Sequence, residues 1–245
     1  MNEIEILKHF LEYPTWTSKP IFEEFKKIEN AIFREKNENG KERFLFVEGK
    51  REKKVVLIAH ADTYFDEYYK KDKHQKHFIE SQGDFYIGKS ETGKRIALGA
   101  DDRAGCAILW VLRDSGHSIL ITDGEEHGNI GSNWLVNENS DIAKSINQHQ
   151  FMIQFDRRNS SDFKCYNVGT DEFRAFIEEK TNYSEPDTGS STDICTLCHE
   201  ICGVNFRVGY YNEHTDDEKI NFKEWFNTLN MVKQLLNHDL PRFKK

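Results

Sequence analysis

No apolar run in the sequence approaches the roughly 20 residues that a bilayer-crossing helix needs, so no membrane span is expected. The amino terminus, MNEIEILKHF, lacks the basic and then apolar pattern of a secretory leader, and the expected location is the cytoplasm. Positive charge is also short, with 34 Lys and Arg against 42 Asp and Glu, a net charge of −8. That balance disfavours nucleic acid as a partner, because a phosphate backbone needs clustered cations. The one basic-looking stretch, Lys70 to His77, is interleaved with Asp72 and Gln75 and reads as a solvated loop. Five cysteines, an odd number, make a poor disulfide framework, and reduced thiols are expected. Internal repeats and low-complexity segments are missing too.

The 245 residues, 37% of them hydrophobic, allow one sizeable core. Helical spacing of apolar residues predicts helices over 3–12 and 20–35, and NENGK at 37–41 reads as a turn into a strand at 43–47. VVLIAH (55–60), HSILITD (117–123) and QFMIQFD (150–156) are continuous apolar runs that end in polar residues, as strands buried on both faces do. GVNFRVGYY (203–211) reads as a further strand. Helical patterns fall at 104–113, 130–143, 171–180, 193–201 and 222–236. Residues 63–97 read as an excursion, with a hairpin of DFYIG and KRIAL around a SETGK turn. The alternation predicts an α/β fold, a three-layer sandwich whose mostly parallel mixed central sheet is flanked by helices.

In such sheets ligands bind at the carboxyl ends of the strands. Three of the buried runs deliver His60, Glu125–Glu126 and Asp156 to those ends. HAD (60–62), GADDRAG (99–105), DGEEHG (123–128), FD (155–156) and NEH (212–214) supply two imidazoles and several carboxylates. That donor set suits a divalent cation of zinc type, and so many buried carboxylates need a cation to be tolerated. Each motif alone has a plainer reading: Glu-Glu pairs are usually solvated, and DDRAG fits an ordinary helix start. Five in order, each at a strand end or loop, are specific.

With these segments the sequence resembles the co-catalytic zinc aminopeptidases and their carboxypeptidase and deacylase relatives, the metallopeptidase families grouped as M20, M28 and M42. The match runs from residue 55 to about 218. The resemblance implies two divalent ions, Zn2+ first, with Co2+ or Mn2+ as alternatives. It implies that Asp101 bridges them, that His60 and Asp156 complete one ion's set, and that Glu126 and His214 complete the other's. Asp62 would orient His60, Glu125 would be the general base, and the Asp101–Asp102 bond is a candidate cis peptide. The implied activity is hydrolysis of a peptide bond, with an aminopeptidase favoured. The alternatives are a deacylase acting on N-acyl amino acids and a non-catalytic binding protein on the same scaffold.

Relatives often carry a second domain between the counterparts of His60 and Asp101, or of Asp156 and His214. Here those intervals, 61–100 and 157–213, leave no room for one, and residues 1–245 read as a bare catalytic domain. Selection of a peptide or amino-acid-derived substrate would then fall to loops 63–97 and 157–192, or to a second copy in a homo-oligomer. Asp102, Asp162 and Glu213 are candidates for holding a substrate amine. Thr188–Asp193 resembles a substrate-backbone loop of the relatives. Tyr210 and Tyr211 are candidates for an oxyanion contact or for the site wall. Cys195, Cys198 and Cys202 read as one buried helix face in preference to a haem or zinc site. His117 and His127 are spare imidazoles, with a supporting or surface role expected for His127.

Overall fold

The computed structural model describes residues 1–38, 40–68, 76–186 and 191–245, without the side chains of Glu67 and Tyr68. The chain opens with helices α1 (Glu3–Leu11) and α2 (Lys19–Phe25) and strands β1 (Ile32–Glu35), β2 (Arg43–Val47) and β3 (Val56–His60). A short α3 (Phe65–Tyr68) precedes β4 (His77–Gln82), β5 (Phe85–Ser90) and β6 (Arg95–Ile96). Next come α4 (Ala100–Leu112), β7 (Ser118–Thr122), α5 (Ile130–Glu138), α6 (Ser140–Ile146), β8 (Met152–Arg157) and β9 (Phe163–Lys164). The remainder is α7 (Asp171–Thr181), α8 (Asp193–Leu197), β10 (Gly203–Arg207), β11 (Tyr210–Tyr211), β12 (Lys219–Asn221) and α9 (Phe222–Leu235).

Seven strands form the central sheet in the order β1-β2-β7-β3-β8-β10-β9. Its middle, β7-β3-β8-β10, is parallel, and the outer pairings are antiparallel. Alternation along the buried strands builds two cores. Leu57 and Ala59 of β3, Ile119 and Ile121 of β7 and Ile153 and Phe155 of β8 face one side, packing with residues of α1, α2, α4, α7 and α9. Val56, Ile58, Leu120 and Met152 face the other side, with Leu135 of α5, Ile142 and Ile146 of α6 and Ile194 of α8. The expected three-layer α/β sandwich is therefore present. Each Val, Leu, Ile, Phe or Met among these, when fully buried, contributes about 1.5–3 kcal/mol before entropy is counted. Local signals agree: α1 begins with a capping box, in which Asn2 Oδ1 accepts from Glu5 N at 2.9 Å while Asn2 N donates to Glu5 Oε2 at 2.8 Å.

Three expectations need correcting. The helix expected over 20–35 ends at Phe25, and Ile32–Glu35 pair with β2 instead. Asn30, at φ 62°, breaks the helical path, and Ile28 and Ile32 share a spacing that fits either reading. The strand at 203–211 divides at Gly209 (φ 89°), so β11 leaves the central sheet and pairs with β12. The helix at 193–201 stops at Leu197, so Cys198 and Cys202 share no helix face with Cys195. Cys106, Cys165, Cys198 and Cys202 are buried, with Cys195 half-buried, and burial holds the Cys165 and Cys198 thiols well up as protonated, inert groups. The hairpin expected from DFYIG and KRIAL is present as β5–β6, a strand that was not expected, β4, pairs with β5 on its other side, and β12 joins them into a second, antiparallel sheet. The basic stretch at 70–77 lies almost wholly outside the described residues, as does Asn39 of the NENGK turn.

His117 lies just before β7, at the end of the sheet opposite the carboxyl ends of the strands. Its Nδ1 accepts from Val55 N at 3.2 Å. Burial, helped by the nearby charge of Arg51, lowers its pKa to about 4. An unfolded imidazole takes its proton near pH 6.5, so acid favours the unfolded chain. The stability held by the neutral ring is complete above pH 6.5 and is lost as pH falls toward 4. His117→Asn keeps an acceptor for Val55. It should reduce the loss of stability between pH 7 and 5 by up to roughly 2 kcal/mol, read by urea denaturation at both values. His149, also depressed by burial, should leave a smaller residual slope.

Candidate metal centre

β3, β7 and β8 run parallel, so their carboxyl ends open at one edge of the sheet. His60 closes β3 and is fully buried. Its Nδ1 lies 3.3 Å from Asp62 Oδ1, and its Nε2 lies 3.2 Å from Asp101 Oδ1 and 3.4 Å from Asp156 Oδ1. A carboxylate on Nδ1 fixes the tautomer that leaves the Nε2 lone pair pointing at the other acids. Asp101 stands where the first turn of α4 departs from helical geometry, and the Asp101–Asp102 peptide is cis, as expected. Its second oxygen, Oδ2, is 3.3 Å from His214 Nε2, which also lies 3.0 Å from the Glu126 carboxylate. The Tyr64 ring stacks on His214 with centroids 4.5 Å apart. His60, Asp101, Glu126, Asp156 and His214 are thus brought into one cluster, with Asp62 behind it.

Asp62 does more than face His60. Its Oδ1 accepts from Glu125 N at 3.2 Å and its Oδ2 from Glu126 N at 3.3 Å, fixing the loop that presents both glutamates. Lys41 lies 3.9 Å from Asp62 and 2.9 Å from Asp66. Burial acts against the Asp62 carboxylate, but His60, Lys41 and the Glu125 amide overcome it and hold the pKa well below the usual range.

Two groups, Glu218 and Gln154, escaped the sequence reading. Glu218 is buried, and its Oε2 accepts from Leu98 N at 3.0 Å and Gly99 N at 2.6 Å, its Oε1 from Asp101 N at 3.0 Å. It anchors the main chain that presents Asp101. Nothing in NEHTDDEK marks it, since any acid in that run reads as solvated. Asp156 is held by three donors: Thr192 Oγ1 at 2.7 Å, Gln154 Nε2 at 3.2 Å and Tyr210 OH at 3.2 Å. Tyr210 is therefore buried beside the site, while Tyr211 turns to Glu224 at 2.6 Å. Ser191, Thr192 and Asp193 are the described end of the 188–193 loop, and Ser191 and Thr192 line the cleft; 188–190 lie outside the described residues.

The candidate amine-holding acids separate. Asp102 is buried and accepts from His60 N and Gly105 N, so its carboxylate is taken up by main chain. Asp162 is engaged by Arg157 and Arg207. Of the three, Glu213 lines the cleft. His127 is exposed and is not among the lining residues.

The donor set fits divalent ions. His60, Asp101 and Glu126 each offer an atom within 4.8 Å of the others, as do His60, Asp102 and Asp156. The main-chain engagement of Asp102 leaves Asp101 as the better-placed acid of the pair. Burial, with Asp101 adding repulsion, raises the Asp156 carboxyl and pushes Glu126 up to about 7 despite its imidazole neighbours. Burial, reinforced by Asp156, Asp193 and Glu126, holds Glu125 well above the usual carboxylate range against the pull of His60. Asp101 is the exception: His214 and His60 outweigh burial and hold it well down. A packed anionic cluster of this kind is relieved by cations, which reverse the local pKa order. The cluster opens into a cleft of about 340 Å³, which is also lined by Arg157, Arg158, Asn159, Tyr166 and Arg207.

No protein-family profile matches the chain, and no curated protein does. Solved structures do. The aminopeptidase PepT from Bacillus cereus superposes with a TM-score of 0.64 at 13% identity, covering 96% of this chain and 97% of that one. A tripeptidase from Staphylococcus aureus gives 0.64 at 15%, with 96% of each chain covered. The TET1 peptidase of Pyrococcus horikoshii, which can assemble into a tetrahedron or a large octahedral shell, gives 0.59 at 14%, covering 96% and 99%. At these identities the likeness is one of fold. Among the described residues, no helix is long and apolar enough to cross a membrane.

Proposed function

We propose that this chain is a metal-dependent exopeptidase, acting as an aminopeptidase on short peptides, with two divalent ions at the cluster. The observation that carries the reading is the division of Asp101: Oδ1 faces His60 at 3.2 Å and Oδ2 faces His214 at 3.3 Å. A carboxylate aimed at two separate donor sets is what a bridge requires. In this reading His60 and Asp156 complete one set, and Glu126 and His214 the other. Zinc suits the mixture of imidazole and carboxylate, with cobalt or manganese acceptable to the same donors. Bound there, the pair would supply Lewis-acid polarisation of the scissile carbonyl and acidify a water.

The protein's own groups do the rest. Asp62 holds the His60 tautomer and, through two amides, the position of Glu125. Glu125 takes a proton from the attacking water at its carboxylate and returns it to the leaving amine. Tyr210 and Thr192 hold Asp156 in place. Glu213, which lines the cleft in an exposed pair with Arg158 at 2.9 Å, would receive a substrate amine by exchanging that partner. In this reading the catalytic unit carries no inserted lid among the described residues, which leaves the cleft lining, or a second copy in a homo-oligomer, to select the substrate.

The test is amino-acid release from a panel of di- and tripeptides, set beside a panel of N-acetyl amino acids, with protein loaded with zinc, cobalt or manganese. Metal-dependent cleavage of the peptides is expected, abolished by chelation and restored by metal. Cleavage confined to the N-acetyl panel would replace the peptidase by a deacylase. Tight stoichiometric binding of metal with neither panel cleaved would favour a binding protein.

A further inference from the structure

We infer that the basic part of the cleft lining, beside the acidic cluster, is a carboxylate-binding subsite, built on Arg207 and Arg157, that takes an anionic group of the substrate. The inference rests on reading the cleft as a peptide-hydrolysing site.

β8 and β10 are register partners at Arg157 and Arg207, so the two guanidiniums arrive side by side at the carboxyl edge of the sheet. Both reach the same oxygen of Asp162, with Arg157 Nε at 3.2 Å and Arg207 Nε in closer contact. One carboxylate thus serves two arginines, and a positive charge is left over. Arg158 is paired with Glu213 at 2.9 Å, but it is largely exposed and that pair is screened by solvent. Arg157 and Asp162 are buried, so the surplus charge sits where water screens it poorly. Burial, together with the repulsion of Arg157 and Arg158, draws Arg207 below its usual pKa in spite of Asp162. The main chain just beyond the two arginines is pinned: Asn159 N donates to Tyr210 O at 2.7 Å, and Gly209 N donates to Asn159 O at 2.8 Å.

The cleft therefore has an acidic wall that suits cations and a basic wall that suits an anion. Guanidinium matches carboxylate in a two-point hydrogen bond, which makes the basic wall selective as well as attractive. A short peptide whose scissile carbonyl lies at the acidic wall would place a carboxylate at the basic wall. Two sources of that carboxylate exist: the free C-terminus of the peptide, or an acidic side chain.

The test is calorimetric binding to zinc-loaded Glu125→Gln protein, which separates binding from turnover. The probes are trialanine, trialanine amide, and trialanine amides with glutamate at the first or the second position. Trialanine is expected to bind about 10-fold or more tightly than its amide, as a charge-assisted pair implies. Arg207→Gln in the same background should shrink that ratio to about 2-fold, and Arg207→Lys should restore part of it. If a glutamate amide binds tightly and trialanine binds no better than its amide, the acidic side chain is the source. Equal affinity for all four probes would overturn the subsite, and that comparison stands even if the Arg207 variants fail to fold. Discrimination by these probes without cleavage of any peptide by the wild-type protein would sink the hydrolase reading and leave the subsite.

Discussion

Glu125→Gln protein should retain two metal ions per chain while kcat falls by about 10³-fold or more. The substitution is nearly isosteric and removes only the ability to accept a proton at the working pH. The loop should hold its shape, because Asp62 grips the Glu125 and Glu126 main-chain amides and not their side chains. Glu125 is also not one of the five proposed ligands, so metal content should be unchanged by elemental analysis. Its raised pKa in the metal-free cluster comes first from burial and then from Asp156, and cations bound beside it would bring it down into the range of a working base. Turnover within a few-fold of wild type would remove Glu125 from the proton transfer. Loss of metal would show it to be a ligand.

Asp101→Asn should have the larger effect on metal. Asn keeps the volume but presents a single neutral oxygen, so it cannot serve both donor sets. Partners that merely orient a ligand cost about 10–100-fold in affinity when lost, and a direct bridging ligand should cost at least as much at both ions. The expectation is less than one ion retained per chain after dialysis, and no detectable turnover. Asp156→Asn gives the contrast. It should lose the ion shared with His60 and keep the one shared by Glu126 and His214, leaving about one per chain. If Asp101→Asn and Asp156→Asn lose the same single ion, Asp101 is a ligand but not a bridge.

The two variants also bear on how far a sequence alone reaches. The proposed ligands stand out in the sequence because buried parallel strands are continuous apolar runs, and a polar residue at the end of such a run has few structural reasons to be there. His60, Asp156 and the Glu125–Glu126 pair all carry that mark. His214 lacked it, since it stands in a charged loop, and only its order after the other motifs pointed to it. Glu218 carried no mark, because its work is to receive three main-chain amides brought together by folding. The arginine pair was equally hidden: Arg157 and Arg207 meet through the register of β8 against β10, which composition does not reveal. Where two periodicities coincide, as at Ile28 and Ile32, the helix reading lost to a strand because β2 offered an edge to pair with. The cysteine face failed for a related reason: Cys198 caps α8, so the 195–198–202 spacing never lies on one continuous helix.

Anomalous diffraction at the zinc edge from crystals of the zinc-loaded protein tests the bridge most directly. The account predicts two peaks about 3.5–4 Å apart, one on each side of Asp101, with His60 and Asp156 at one and Glu126 and His214 at the other. A single peak, or a peak held by Asp102 in place of Asp101, would contradict it.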